Sequence, residues 1–210
     1  MSDQATKAHI LEATIGAIEK HGLPGLTTRM IAAQAGVNNA ALHYYFGTKE
    51  ALVDAALALT LDHMLGDTEE ILSRPIAVEE RLRALLAYLI EGTFAFPNII
   101  RAHLWAPMVE GSPESPFERM QGAWADRIWR EIRREFPRAS ESAVRLALHT
   151  TLGGVVFLAM VPPGNSSGRG PAIHNKATRE RYIAQLVEFV LASSRARAGT
   201  RRRSGRRTPA

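Results

Sequence analysis

His43, Tyr44 and Tyr45 stand together in an eight-residue run, Asn39 to Phe46, whose core needs only Leu42 and Phe46. Polar rings crowded into so short a segment want a hydrogen-bonding partner. Catalytic chemistry finds little support elsewhere. The chain has no HExxH, no phosphate-cradling glycine loop and no nucleophile elbow. It also has no cysteine, which removes disulfides, thiolate zinc sites and thiol nucleophiles together. His103 and His149 are chemically able to share a metal, but nothing in the sequence brings them together, so no metal and no cofactor is expected.

The elements that position the rings are short helices. From Ala5 to His21, Leu11, Ile15 and Ile18 recur at helical spacing, and Gly22 suits a left-handed stop. Thr27 and Thr28 offer caps for a helix ending at Ala35, with Ile31, Ala32 and Ala35 as its apolar face. Gly36-Val37-Asn38 is a tight joint, Asn38 caps the next helix through Phe46, and Thr48 caps a fourth. Two short helices on so tight a turn are the requirement of a helix-turn-helix, because a longer joint would let the second helix wander from a DNA groove. An ordinary helical hairpin satisfies the spacing but leaves the rings without a purpose.

Across Ile10 to Leu52 the sequence resembles the tetracycline-repressor (TetR) family of bacterial regulators. The resemblance rests on Gly22, Leu26-Thr27-Thr28, Ile31-Ala32-x-x-Ala35-Gly36-Val37, Leu42-His43-Tyr44-Tyr45-Phe46 and Thr48-Lys49-Glu50-x-Leu52. It implies that Asn38, Asn39, Ala40, His43 and Tyr44 face the major groove, and that Thr28, Tyr45 and Lys49 meet phosphates, with Arg29 able to do either. The family usually carries tyrosine where this chain has His43, so the contact there differs. Tyr45 is equally suited to half-buried packing. The resemblance also implies a ligand-responsive repressor released from a palindromic operator, acting as a homodimer.

Beyond residue 47 the pattern stays helical, with spans expected at 48–72, 78–95, 98–110, 115–136, 139–161 and 176–196, and a loop at 162–171. The expected fold class is all-α: a three-helix DNA-binding domain at 1–47, a helical effector-binding and dimerisation domain at 48–196, and a basic tail at 197–210. An apolar or amphipathic effector is expected between residues 78 and 161. Phe94, Phe96, His103, Trp105 and Met108 are candidates to line its pocket, as are Met120, Trp124, His149 and Phe157, and all are equally good core. Val144, Leu148, Leu152 and Val155 form one apolar stripe and Ile183, Leu186, Val187 and Val190 another, which the resemblance makes candidates for the dimer interface and plain packing explains as well.

The net charge of +5 is local. Seven of the 26 basic residues lie at 195–210 with no acid among them, which leaves the rest slightly acidic against 21 Asp and Glu. The arginine-rich end is either a DNA arm or a solvated tail. No run approaches a membrane span, and Met1 to Lys7 lacks a secretory pattern, so a cytoplasmic protein is expected. The rival readings are an architectural DNA-binding dimer without effector, and a helical enzyme or carrier.

Overall fold

The computed structural model describes residues 3–105, 115–160, 173 and 175–195. Met108, the expected loop at 162–171 and the tail at 197–210 lie outside them. The described residues form nine α-helices: α1 Asp3–His21, α2 Thr28–Ala35, α3 Asn39–Phe46, α4 Lys49–Leu72, α5 Val78–Ala95, α6 Pro97–Trp105, α7 Pro116–Glu135, α8 Glu141–Met160 and α9 Lys176–Arg195. The all-α expectation holds. Local signals set many of the boundaries. Thr27, Asn38 and Thr48 accept from the backbone N–H of Met30, Ala41 and Ala51, and Ser115 with Glu118 closes a capping box around Pro116. Gly22 and Gly36 take φ of 71° and 63° at the ends of α1 and α2, a region where a Cβ is strained.

Two hydrophobic cores result. The first gathers Ile10, Ile18, Leu26, Ile31, Leu42, Leu52 and Val53, and it also contains Ile99 and Ala102 of α6. The expected boundary at 47/48 falls between α3 and α4, but the apolar packing of the N-terminal helices continues into both α4 and α6. The second core joins α4, α5, α7, α8 and α9. Glu131 of α7 lies buried within a cage of guanidiniums: Arg81 at 2.9 Å, Arg134 at 2.7 Å, and Arg127. Burial raises its carboxyl pKa, but the three arginines outweigh that and hold it below the usual range. Arg81 also donates to the Leu72 carbonyl at 3.0 Å, so the end of α4, the start of α5 and α7 share one polar joint.

Helix α8 is long and apolar enough to cross a membrane by composition, yet it packs against α5, α6, α7 and α9. His103 of α6 is likewise buried, stacked on Phe117 with ring centroids 5.6 Å apart. The Thr60 hydroxyl already donates to the Leu57 carbonyl at 2.7 Å, so the 2.8 Å contact requires His103 Nε2–H to donate to Thr60 Oγ1.

Desolvation drives the His103 imidazole from 6.5 down to about 4. Protons bind the unfolded chain first, so stability held by neutral His103 is complete above about pH 6.5 and is lost as pH falls towards 4, by on the order of 3 kcal/mol. Urea unfolding at pH 7 and pH 4.5 should show a larger acid loss in the wild type than in His103→Gln, whose amide can keep the Thr60 bond; equal losses would remove His103 as the cause.

Candidate nucleic-acid interface and cavity

Helix α3 is eight residues long, and its two sides differ sharply. Leu42 is buried against the first core, while Asn39, Ala40, His43 and Tyr44 are exposed at spacings that place them along one face. Tyr44 is 78 % exposed, an unusual position for an aromatic ring. His43 is oriented: its Nδ1–H donates to the Gly47 carbonyl at 2.8 Å, which turns Nε2 outward. Asn38 uses its side-chain oxygen as the cap of α3, so only its amide N–H groups remain for another partner.

Tyr45 departs from the expectation of a phosphate contact. It is half-buried, edge-on to Tyr44, and its hydroxyl donates to Asp3 Oδ1 at 2.7 Å, tying the start of α1 to α3. That bond and the Asp3 charge hold the phenol pKa above its ordinary value. Thr28, Arg29 and Lys49 lie at the N-terminal turns of α2 and α4, where backbone N–H groups and the helix dipole favour anions. Lys7 is committed elsewhere, over the Phe46 ring at 5.5 Å.

The body holds a cavity of about 530 Å³, the size of a small-molecule site. Of the residues expected to line it, Phe96 and Trp124 do, and Leu152 and Val155, expected at the dimer interface, do so too. Phe94 and Met120 pack in the second core instead, and His103 supports the wall from behind Thr60 and Phe117. Trp105 borders a smaller cavity of about 270 Å³ with Leu23, Pro24 and Met160. His149 and Phe157 are exposed on α8. Sequence reasoning missed Glu12 and Ile15 of α1 and Thr60, Met64 and Asp67 of α4, which lie outside the expected span of 78–161. No local signal marks such residues, because only the docking of α1 on the body makes them neighbours.

The expected interface stripes are turned inward. Val144, Leu148, Ile183, Val187 and Val190 are buried within one chain, with Leu152 and Val155 beside them and Leu186 half-buried. The exposed apolar side chains of α8 and α9 are Leu146, Phe157, Met160 and Phe189.

The first core and the cavity meet at α6. Pro97, at the first helical position, has no N–H to satisfy. Glu19 of α1 accepts from the next two, Asn98 N–H at 3.1 Å and Ile99 N–H at 3.0 Å. Asn98 Nδ2–H answers by donating to the Glu19 carbonyl at 2.8 Å.

Comparison with known proteins agrees with this arrangement. Residues 10–56 match the family model described as bacterial regulatory proteins, tetR family. The chain is 28% identical over 154 residues to the HTH-type transcriptional regulator BetI of Burkholderia mallei, covering 67% of this chain and 75% of that one. Among solved structures it resembles a TetR transcription regulator from Haloarcula marismortui (TM-score 0.67, 22% identity, 92% and 98% of the two chains covered). It also resembles the transcriptional regulator FadR from Bacillus subtilis in complex with stearoyl-CoA (TM-score 0.62, 13% identity, 89% and 98% covered). These relatives carry the names of transcriptional regulators, and residues 10–56, which contain the α2–α3 helix-turn-helix, match the tetR family model.

Proposed function

We propose that this regulator is a homodimeric repressor that holds a two-fold symmetric operator and is released from it by a small molecule in the 530 Å³ cavity. The observation that carries this reading is the double use of α6: Ile99 belongs to the core of the DNA-binding helices and also lines the cavity. An occupant therefore touches an element on which the reader rests. Selection of bound DNA from a random library should yield a palindromic motif, and a compound that binds the free protein should bind more weakly to protein saturated with operator.

In this reading Asn39, Ala40, His43 and Tyr44 meet base edges, and Thr28, Arg29 and Lys49 meet phosphates. Asn38 contributes an amide donor, and Tyr45 orients Tyr44 instead of binding the backbone. Replacing Tyr44 or Asn39 with Ala should weaken operator binding by ~1 to 3 kcal/mol and random DNA less. Replacing Lys49 should weaken both alike and lower the salt slope by about one unit. Equal losses at Tyr44 on both DNAs would remove it as a base reader.

The dimer face in this reading is the exposed apolar set Leu146, Phe157, Met160 and Phe189. Phe157→Glu should move the protein from dimer to monomer in sedimentation while the helix content stays constant. A dimer that persists would place the interface elsewhere.

Release needs the two recognition helices, about 34 to 36 Å apart on successive major grooves, to lose their register. The route is α6 to Glu19 to α1. Glu19→Ala should leave operator affinity and effector affinity within a few-fold of wild type while shrinking the effect of each on the other. An undiminished coupling would rule this joint out as the route.

A further inference from the structure

The cavity has a chemical polarity that goes beyond the sensor reading on which this inference rests. Its deep wall is apolar, built from buried residues such as Leu89, Ile100, Phe117, Leu152 and Val155. Acidic side chains line it from three helices, Glu12 from α1, Asp67 from α4 and Glu91 from α5, each on an exposed position, with His63 of α4 beside them. Among the described residues, no lysine or arginine lines it. Arg179 approaches Glu91 at 3.7 Å from α9 without joining the lining. Asp67 accepts from the Tyr88 hydroxyl at 2.8 Å, and burial with that bond raises the Tyr88 pKa, so the phenol stays a donor.

A second observation is independent of the rim. Trp124 lines the cavity and is 5 % exposed, yet its indole Nε1–H has no hydrogen-bond partner among the described residues. A buried donor without a partner costs free energy that an acceptor supplied by an occupant would recover. The two observations call for an acceptor atom inside and a positive charge outside.

We propose that the effector is an amphipathic organic cation: an apolar body bearing an oxygen acceptor for Trp124, and an ammonium head at the mouth among Glu12, Asp67 and Glu91. The carboxylates attract such a head at long range, Glu12 and Asp67 more than Glu91, which Arg179 already pairs, and the rings of Tyr88 and Phe96 in the same lining suit it at contact. An anionic amphiphile meets the opposite field, with no lysine or arginine among the described lining residues to compensate its charge.

Three phenoxyalkyl compounds of equal chain length, ending in trimethylammonium, carboxylate or hydroxyl, separate the contributions by calorimetry on the full chain. The ammonium compound should bind at least tenfold tighter than the carboxylate, with the alcohol between them. Glu12→Gln with Asp67→Asn and Glu91→Gln should remove most of that preference and leave the alcohol unchanged, whereas Trp124→Phe should weaken all three alike. Thermal melts check that both variants fold. Equal or tighter binding of the carboxylate, a preference that survives the neutralised rim, or no binding of the ammonium compound would overturn the proposal. If the ammonium compound binds as expected but does not release operator DNA, the effector class stands and the release reading fails. Release by the carboxylate alone overturns the effector class and leaves the release reading standing.

Discussion

The Glu19 carboxylate on the first turn of α6 is the contact that sets how the N-terminal helices and the cavity are joined. A helix start leaves backbone N–H groups without intrahelical partners, and here the neighbouring helix α1 supplies the acceptor across 79 and 80 residues of chain. Hydrogen bonds to a charged acceptor are worth about 1.5 to 3 kcal/mol each, and they are directional. The apolar contacts of Ile99 and Ala102 beside them are not directional. Packing therefore holds α6 against the reader, while Glu19 and Asn98 fix its register. The three groups at risk are all accounted for, since Ile100 N–H returns to the Phe96 carbonyl at 3.2 Å.

That joint explains the placement of the cavity. Phe96, Ile99 and Ile100 belong to the segment that Glu19 caps, and Glu12 and Ile15 stand two and one turns earlier on the same α1. The far end of α4 is anchored differently, through Arg81 and the buried Glu131. A buried carboxylate held by three guanidiniums resists rearrangement, because moving it away from them leaves a buried charge uncompensated. The body is thus held by a polar joint where α4, α5 and α7 meet, and the cavity lies where α1, α4 and α6 come together.

Most of the reader was legible because its signals are local. Thr27, Asn38 and Thr48 cap helices within three residues, and Gly22 and Gly36 occupy the turns their missing Cβ permits. The body was legible only as helices. In α8 the run Val144, Leu148, Leu152, Val155 has helical period, but Leu146, Phe157 and Met160 make the opposite side apolar too, so periodicity could not say which face turns inward. The Tyr45 to Asp3 bond spans 42 residues, and the neighbourhood of His103 with Thr60 spans 43. Such pairs follow from how helices dock, which composition and spacing do not encode.

The reader's electrostatics bear on how little effector energy suffices. Its first fifty residues hold Lys7, Lys20, Arg29 and Lys49 against Asp3, Glu12, Glu19 and Glu50, and Lys7 already rests on Phe46. In the proposed reading, helices with so few free cations draw little DNA affinity of their own from counterion release, the part of binding that tolerates misalignment. What remains in that reading is contact by the exposed face of α3, which requires both half-sites of the proposed operator to be met in register. Affinity of that kind is lost over a small tilt, so a coupling of ~1 to 3 kcal/mol is enough to empty an operator held near its dissociation constant. A strongly basic reader would cling to DNA after the same tilt. In the proposed mechanism, weak general attraction is therefore the condition under which a modest change around α6 acts as a switch.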